Sequence, residues 1–306
     1  KEIGQTLLKE ADPDKTYIVL LGRPYNAFTK DANMGIPRKF HSKGHTIIPF
    51  DFMPMEETIT QNMYWYYGQQ VLKAAAEVAK RPNFFLTYIT NFSCAPDSFI
   101  LHFIRWIQKT KPFLILELDS HSADAGIDTR IEAFLDIIEG YRKNFVSAKK
   151  EPKTQRYTVS LEKGKEGVID SKDPDKVIPF TDKRVKLLWP SMGFLSTQAL
   201  VSVSNAVGIH SEALPVPDVF TLQLARNVAS GKECIPALLV LGSFLQYLAK
   251  HKPEPDEILL MFMPITTGPC RTGQYFVFYE QVFQEMSYDN TVVLALNSDH
   301  SYSELG

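Results

Sequence analysis

The first half of the chain alternates short apolar runs with longer amphipathic segments. Apolar runs predict strands at residues 17–21, 46–50, 84–90 and 113–118, and helical periodicity predicts helices at 37–42, 63–80, 97–109 and 127–141. Continuous apolar strands separated by helices are typical of a parallel sheet covered on both faces. The pattern therefore predicts a doubly wound, Rossmann-like α/β domain over residues 1–142.

The second half repeats this alternation. Strands are predicted at residues 185–188, 258–263 and 291–296, with an extended segment at 212–219 and helices at 197–207, 237–250 and 275–285. These elements predict a second α/β domain over residues 185–306, built on the same plan as the first. We expect a cleft between the two domains, because such clefts are favoured ligand sites.

The stretch at residues 143–184 separates the two predicted domains. It is rich in charged residues, lacks helical periodicity and contains the turn sequence Lys163-Gly-Lys-Glu-Gly. We interpret it as a linker. Its segments 158–161 and 167–170 are predicted to pair as a β-hairpin around that turn.

Composition narrows the class of protein. The chain has 306 residues, of which 44% are hydrophobic, and a formal charge of -2 from 33 basic and 35 acidic residues. This balance gives no basic surface for nucleic acid or an anionic membrane. There is no apolar run of membrane-spanning length and no signal-peptide pattern, so we expect a cytoplasmic protein. Because the chain begins at Lys1 without a methionine, we expect an excerpt of a longer protein.

The three cysteines stand in similar contexts. Cys94 and Cys270 each follow a strand-like run, and Cys234 precedes a predicted helix; each has a proline next to it or two residues away. Cys94 is expected just before a helix capped by Asp97, and Pro236 is expected in the first turn after Cys234. A helix N-terminus favours thiolate over thiol, and thiolate is the form that binds metals.

The residues alone leave several interpretations open. A single cysteine in a cytosolic protein is most often a small buried apolar residue, and the spacing here matches no local metal-binding motif. Three thiolates are one short of the usual four ligands of an iron–sulfur cube, so one iron would remain for water, substrate or an outside ligand. A zinc site with the same thiols is a further alternative.

Three other features are given simpler interpretations. The loop Gly22-Arg-Pro-Tyr-Asn matches no phosphate-binding motif, and we interpret it as a turn with an exposed arginine. The polar tract from Glu117 to Glu132 resembles an acid–base or metal site, but a strand end and helix start held by ion pairs and caps is favoured. The aromatic run at residues 64–67 is interpreted as packing. No hydrolase motif of the GxSxG or HExxH type occurs.

Several segments together carry a family resemblance: Leu21-Gly-Arg-Pro-Tyr-Asn, Asn33-Met-Gly-Ile-Pro-Arg-Lys, Asn91-Phe-Ser-Cys-Ala-Pro-Asp-Ser-Phe, Glu117-Leu-Asp-Ser-His-Ser-Ala-Asp-Ala-Gly-Ile-Asp-Thr-Arg-Ile-Glu-Ala-Phe, Gly231-Lys-Glu-Cys-Ile-Pro-Ala and Gly268-Pro-Cys-Arg-Thr-Gly-Gln-Tyr. They resemble the acyl-CoA dehydratase activase-related proteins. In these fusion proteins, ATPase activator modules precede a region similar to the 2-hydroxyacyl-CoA dehydratase subunits. The resemblance spans nearly the whole chain.

The resemblance implies a redox protein. Dehydratase-like subunits have Rossmann-like domains with a [4Fe-4S] cluster held in the cleft by three cysteines, and the double-cubane cluster reductases are similar. Carried onto this chain, Cys94, Cys234 and Cys270 are the expected ligands, and Arg271 and Lys232 are expected to offset the cluster's negative charge. A protein purified without oxygen is expected to be brown.

The resemblance also implies partners for this chain, and an alternative to the redox function stays open. The expected electron donor is an ATP-hydrolysing activator of the actin and sugar-kinase (ASKHA) type, the expected substrate class is acyl-CoA, and a dimer is one expected assembly. The ATPase modules have no counterpart here, so this chain is not expected to hydrolyse ATP alone. The alternative is a non-catalytic docking or regulatory module with structural cysteines, which binds an activator or dehydratase through the aromatic run and the 117–132 tract.

Overall fold

The chain divides into two compact units, residues 1–149 and 150–306. The computed structural model describes residues 2–55, 63–91, 94–144, 156–251, 254 and 256–298. A four-stranded parallel sheet forms the centre of each unit. No helix within the described residues is long and apolar enough to cross a membrane.

Unit 1 is an alternation of helices and parallel strands. Its sheet has the strand order β2-β1-β3-β4. The elements are α1 (Glu2–Lys9), β1 (Tyr17–Gly22), α2 (Pro24–Ala27), α3 (Ile36–Ser42), β2 (Thr46–Pro49), a 3₁₀ turn (Phe50–Phe52), α4 (Tyr66–Lys80), β3 (Phe84–Asn91), α5 (Ala95–Gln108), β4 (Leu114–Leu118) and α6 (Asp124–Asn144).

Burial on both faces explains why the central strands of unit 1 are continuous apolar runs. Every residue of β1 is buried, and so is every residue of β3 except its last. One face of the sheet packs against apolar side chains of α3 and α6, including Phe40, Ile131 and Phe134. The predicted Rossmann-like α/β fold is confirmed.

Unit 2 repeats the topology of unit 1 in its parallel sheet, whose order is β11-β10-β8-β9. When the four strands of this sheet are numbered from β8 in chain order, they lie in the order second, first, third, fourth from the β9 edge, as in unit 1. The elements are β5 (Tyr157–Ser160), β6 (Gly167–Asp170), β7 (Asp173–Ile178), β8 (Val185–Trp189), α7 (Phe194–Ala206), β9 (Ser211–Ala213), α8 (Val219–Arg226), α9 (Ile235–Lys250), β10 (Ile258–Ile265), a 3₁₀ turn (Arg271–Gln274), α10 (Tyr275–Glu285) and β11 (Thr291–Asn297).

The stretch interpreted as a linker contains structure of its own. Strands β5 and β6 pair antiparallel over the two segments predicted as a hairpin, and β7 adds a third antiparallel strand. Tyr157, Val168 and Ile178 from these strands are buried in one apolar cluster with β8, β10 and β11. The small sheet therefore covers one face of the unit 2 parallel sheet, and the domain boundaries at 142 and 185 stay predictions.

Other elements differ from expectation at their ends or were not predicted. Helices α1, α2 and α8 were not predicted, and the extended segment expected at 212–219 contains only the short strand β9. Helix α8 begins with a capping box. The Asp218 side chain accepts a hydrogen bond from the main-chain N–H of Thr221, and the Thr221 hydroxyl accepts one from the main-chain N–H of Asp218. This local signal could have located α8 from the sequence.

Gly242 permits close contact between α8 and α9. A Cβ atom at this position would lie 2.0 Å from the Thr221 carbonyl oxygen. We predict that Gly242→Ala lowers the free energy of unfolding by roughly 2 kcal/mol or more, because backbone must move. The matched control is Gly140→Ala in α6, where nothing lies within 4 Å of the added atom, and where alanine should stabilise the helix by about 0.5–1 kcal/mol. Urea unfolding of both variants tests this; equal effects would contradict it.

Lys111 gives unit 1 a pH-dependent stability. Its side chain is buried, its ammonium group donates to the carbonyl oxygens of Val78, at 2.6 Å, and Arg81, and burial lowers its pKa to about 7. The unfolded lysine has a pKa of about 10.4. Between these values the unfolded chain binds more protons, so the free energy of unfolding rises with pH.

We predict that Lys111 contributes a rise of about 2 kcal/mol in the free energy of unfolding between pH 7 and pH 9. Urea unfolding at the two pH values should show this rise in the wild type and lose it in Lys111→Met. Lys15→Met, at a position whose side chain is 71% exposed, is the control and should keep it. A Lys111→Met protein with the wild-type pH slope would refute the assignment.

Candidate functional site

Strands β1 and β3 of unit 1 lie side by side, and their carboxyl ends form the topological switch point of the sheet. The chain leaves β1 toward β2 on one side and leaves β3 toward β4 on the other. Open α/β sheets bind ligands at such points. Gly22 ends β1 with φ 150°, and a Cβ there would lie 2.5 Å from the Ile89 carbonyl oxygen of β3. Only glycine therefore allows this approach of the two strands.

An ion pair connects the two strand ends at this switch point. Arg23, directly after β1, donates from Nε to Oδ1 of Asp97 at 3.0 Å. Asp97 is buried in the first turn of α5, and its other oxygen accepts from the Thr90 hydroxyl at 2.7 Å. The prediction of an exposed arginine was wrong, because the Arg23 side chain is only 27% exposed.

Cys94 is the residue that caps the N-terminus of α5, at the same switch point. It is half-buried, and burial raises the pKa of its thiol. The main-chain N–H of Asp97 and the charge of Arg23 oppose this effect, but the net shift is upward. The thiolate expected at this helix N-terminus is therefore disfavoured at Cys94, because desolvation and then the charge of Asp97 raise the pKa of the thiol.

Cys270 occupies in unit 2 the position that Cys94 occupies in unit 1. It follows the third strand of its sheet, β10, and precedes the 3₁₀ turn that leads into α10. Its thiol is exposed and lies 3.1 Å from the Thr272 hydroxyl. The Thr272 hydroxyl, the Thr272 main-chain N–H and the charge of Arg271 lower the pKa of Cys270. These neighbours favour the thiolate form of Cys270.

Cys234 precedes α9, the helix that returns the chain to the start of β10. It is the N-cap residue, with proline in the first turn as predicted. Its sulfur forms a hydrogen bond with the hydroxyl of Tyr275, the first residue of α10. Burial, and then the nearby Cys234, raise the pKa of Tyr275. One segment, residues 270–275, thus carries Cys270 and also contacts Cys234.

Glu233 shapes the loop before Cys234, and the sequence analysis missed it. Its buried carboxylate accepts from the main-chain N–H groups of Ser230, Gly231 and Lys232 at 3.0, 3.0 and 3.1 Å. Three charge-assisted hydrogen bonds fix this turn and hence the approach to Cys234. The sequence signal was an acidic residue directly after a Ser-Gly-Lys turn. Lys232 lies in this turn, two positions before Cys234, and the charge of Arg271 acts on the thiol of Cys270.

The polar tract at residues 117–132 forms structural contacts. Lys39 of α3 pairs with Asp128 at 2.9 Å and with Asp124 at 3.5 Å, and Lys43 pairs with Glu132 at 2.6 Å. Asp119 accepts hydrogen bonds from the loop that precedes α6. These contacts agree with the simpler interpretation of ion pairs and caps. In the part of the chain that the structure describes, no three His, Cys, Asp or Glu side chains form a metal-binding group.

The Arg23–Asp97 pair is predicted to hold the unit 1 switch point together. Arg23→Met removes the cation that pairs with the buried carboxylate of Asp97, and we expect a loss of about 2–3 kcal/mol in the free energy of unfolding. Arg184→Met is the control, because Arg184 pairs with Asp182 at 2.8 Å with its side chain 44% exposed. We expect a loss there of below about 1 kcal/mol. Chemical unfolding compares the two, and similar losses would argue against the assignment.

Comparison with known proteins matches part of the chain to a family model. No curated protein matches the chain. Residues 1–53, which include β1, the Arg23 loop and β2, match the family model described as CoA enzyme activase uncharacterised domain (DUF2229). This match confirms the resemblance and supports an activase-related protein.

Proposed function

We propose that the chain is an iron–sulfur redox module in which Cys94, Cys234 and Cys270 bind a [4Fe-4S] cluster. It would accept low-potential electrons from an ATP-hydrolysing activator and deliver them to a bound substrate of the acyl-CoA class. The match of residues 1–53 to a CoA enzyme activase domain supports the link to activator-dependent chemistry.

The observation that carries the proposal is the arrangement around residues 270–275. Cys270 begins this segment and Tyr275, which ends it, contacts the sulfur of Cys234. The two thiols come from positions 36 residues apart in a chain of 306 residues with only three cysteines. The Tyr275 contact therefore places the sulfur of Cys234 against the same short segment that carries Cys270, which supports a shared site.

The chemistry of the three candidate donors supports an iron–sulfur cluster, because thiolates are the usual protein ligands of such clusters. All three candidate ligands are thiols, and each precedes a helical turn as its N-cap residue. Ser, Thr, Asp and Asn are the usual residues at this position, and cysteine has no advantage as a cap. Thiols at all three positions are therefore better explained by their sulfur chemistry. Beside Cys270, a Cβ at Gly268 would meet nothing within 4 Å, which leaves space for a bulky group.

The protein's own residues would bind and tune the cluster. When bound, such a cluster supplies one-electron transfer. Three thiolates leave one iron without a protein ligand, where substrate, water or an outside ligand could bind. Arg271 and Lys232 would offset negative charge next to Cys270 and Cys234, as basic neighbours of metal ligands commonly do.

We predict that anaerobic reconstitution with iron and sulfide gives a brown protein with about four irons per chain. Cys234→Ser and Cys270→Ser should each lose most of the iron and the electron paramagnetic resonance signal of the reduced cluster, and the Cys94→Ala/Cys234→Ala/Cys270→Ala triple variant should lose all of it. Ser243→Ala, in α9 like the Cys234 cap, is the control and should keep the wild-type content.

Iron near zero in the reconstituted wild type, or a cluster retained by the triple variant, would refute the proposal. Zinc bound in place of iron by the same thiols would establish the zinc alternative instead. Circular dichroism of each variant separates a lost ligand from a lost fold.

A further inference from the structure

The hydroxyl group of Tyr275 is positioned against the sulfur of Cys234. Tyr275 is 4% exposed and is the first residue of α10. The next turn of the helix is anchored in the core by Phe278 and Tyr279, both fully buried. The phenol is therefore held at Cys234 by a packed helix rather than by a surface loop.

We infer that Tyr275 donates a hydrogen bond to the Cys234 thiolate and thereby raises the reduction potential of a cluster bound through that sulfur. This inference rests on the proposed function, in which Cys234 is a ligand. It gives a role to Tyr275, the last residue of the segment Gly268-Pro-Cys-Arg-Thr-Gly-Gln-Tyr, to which the family resemblance assigned none.

The direction of the hydrogen bond follows from the chemistry of the two groups. A metal-bound cysteine has lost its proton and can only accept, whereas a phenol keeps a proton to donate. Hydrogen bonds to cluster sulfurs favour the reduced state, because that state places more negative charge on sulfur. A buried donor acts in a low-dielectric environment, where the effect is larger than in water.

The neighbouring tyrosine is a matched control. Tyr279 is one turn further along α10 and equally buried, but its hydroxyl donates to the main-chain oxygen of Ala237 at 2.8 Å. Removing either hydroxyl deletes buried hydrogen bonding at the same helix, and the Tyr275 hydroxyl also interacts with the Thr272 side chain. Only the Tyr275 hydroxyl contacts a predicted ligand sulfur directly.

The test is a redox titration of reconstituted wild type, Tyr275→Phe and Tyr279→Phe, followed by electron paramagnetic resonance. Dithionite supplies the single electron through dye mediators, no covalent bond forms or breaks, and the phenol keeps its proton. We expect equal iron contents and a more negative potential in Tyr275→Phe. At a fixed ambient potential near the wild-type midpoint, the ratio of reduced to oxidised cluster should fall about tenfold, the size expected from one hydrogen bond to a charged acceptor. Tyr279→Phe should match the wild type.

Each outcome decides between the hypotheses. A cluster with unchanged potential in Tyr275→Phe overturns the tuning role and leaves the proposed function standing. A folded Tyr275→Phe protein that no longer binds iron has the same two consequences. No cluster in the wild type overturns both. If Tyr275→Phe fails to fold, site-specific 3-fluorotyrosine at position 275, a stronger donor of the same shape, should move the potential to more positive values. An unchanged potential there would also overturn the inference.

Discussion

Parallel pairing of the first and third strands is the constraint on which each unit depends. In both sheets the chain crosses from the first strand to an outer second strand, returns, and places the third strand on the other side of the first. The connections that follow the first and third strands run to opposite sides of the sheet, so they do not cover the carboxyl ends of these two central strands. The loops after these strands are therefore left to build a site. In unit 1 that loop pair carries Arg23 and Cys94, and in unit 2 the corresponding loop after β10 carries Cys270.

The same topology gives the equivalent cysteines different electrostatic environments. Cys94 lies close to Asp97, a buried carboxylate that forms an ion pair with Arg23. Desolvation raises the pKa of the Cys94 thiol. Cys270 is exposed and has a hydroxyl, a main-chain N–H and an arginine as neighbours, all of which lower its pKa. Forming the thiolate therefore costs more free energy at Cys94 than at Cys270.

Much of the fold could be predicted because burial on both faces leaves an unmistakable pattern. The central strands are uninterrupted apolar runs, and the predicted Rossmann-like α/β fold follows from them. Strand β7 escaped prediction because four of its six residues, Asp-Pro-Asp-Lys, are exposed. Its assignment depends on antiparallel pairing with β6, which no local pattern encodes.

Helix α7 shows a different limit of pattern analysis. It buries Thr197 and Ser204 and exposes Leu195 and Val203, the reverse of an ordinary amphipathic helix. The buried hydroxyls are satisfied within the helix itself, since they donate to the carbonyl oxygens of Gly193 and Leu200. A hydroxyl that bonds its own helix can face a sheet at little cost. Periodicity located this helix but not the face that it turns toward the sheet.

Some features of the candidate site could be predicted from neighbouring residues in the sequence, whereas others depend on residues that are distant in the sequence. The cysteines could be singled out because their neighbours in the sequence are alike. Asp97 was expected to cap α5, but its partner is Arg23, which lies 74 positions earlier in the chain. Tyr275 likewise lies 41 positions from Cys234. It ends the cysteine-bearing segment at residues 268–275 that carries the resemblance, but no local pattern pairs it with the sulfur of Cys234. Sequence motifs therefore locate the candidate ligands. The residues that hydrogen-bond or form ion pairs near those ligands can be identified only in the folded structure, where the strand order brings distant loops together.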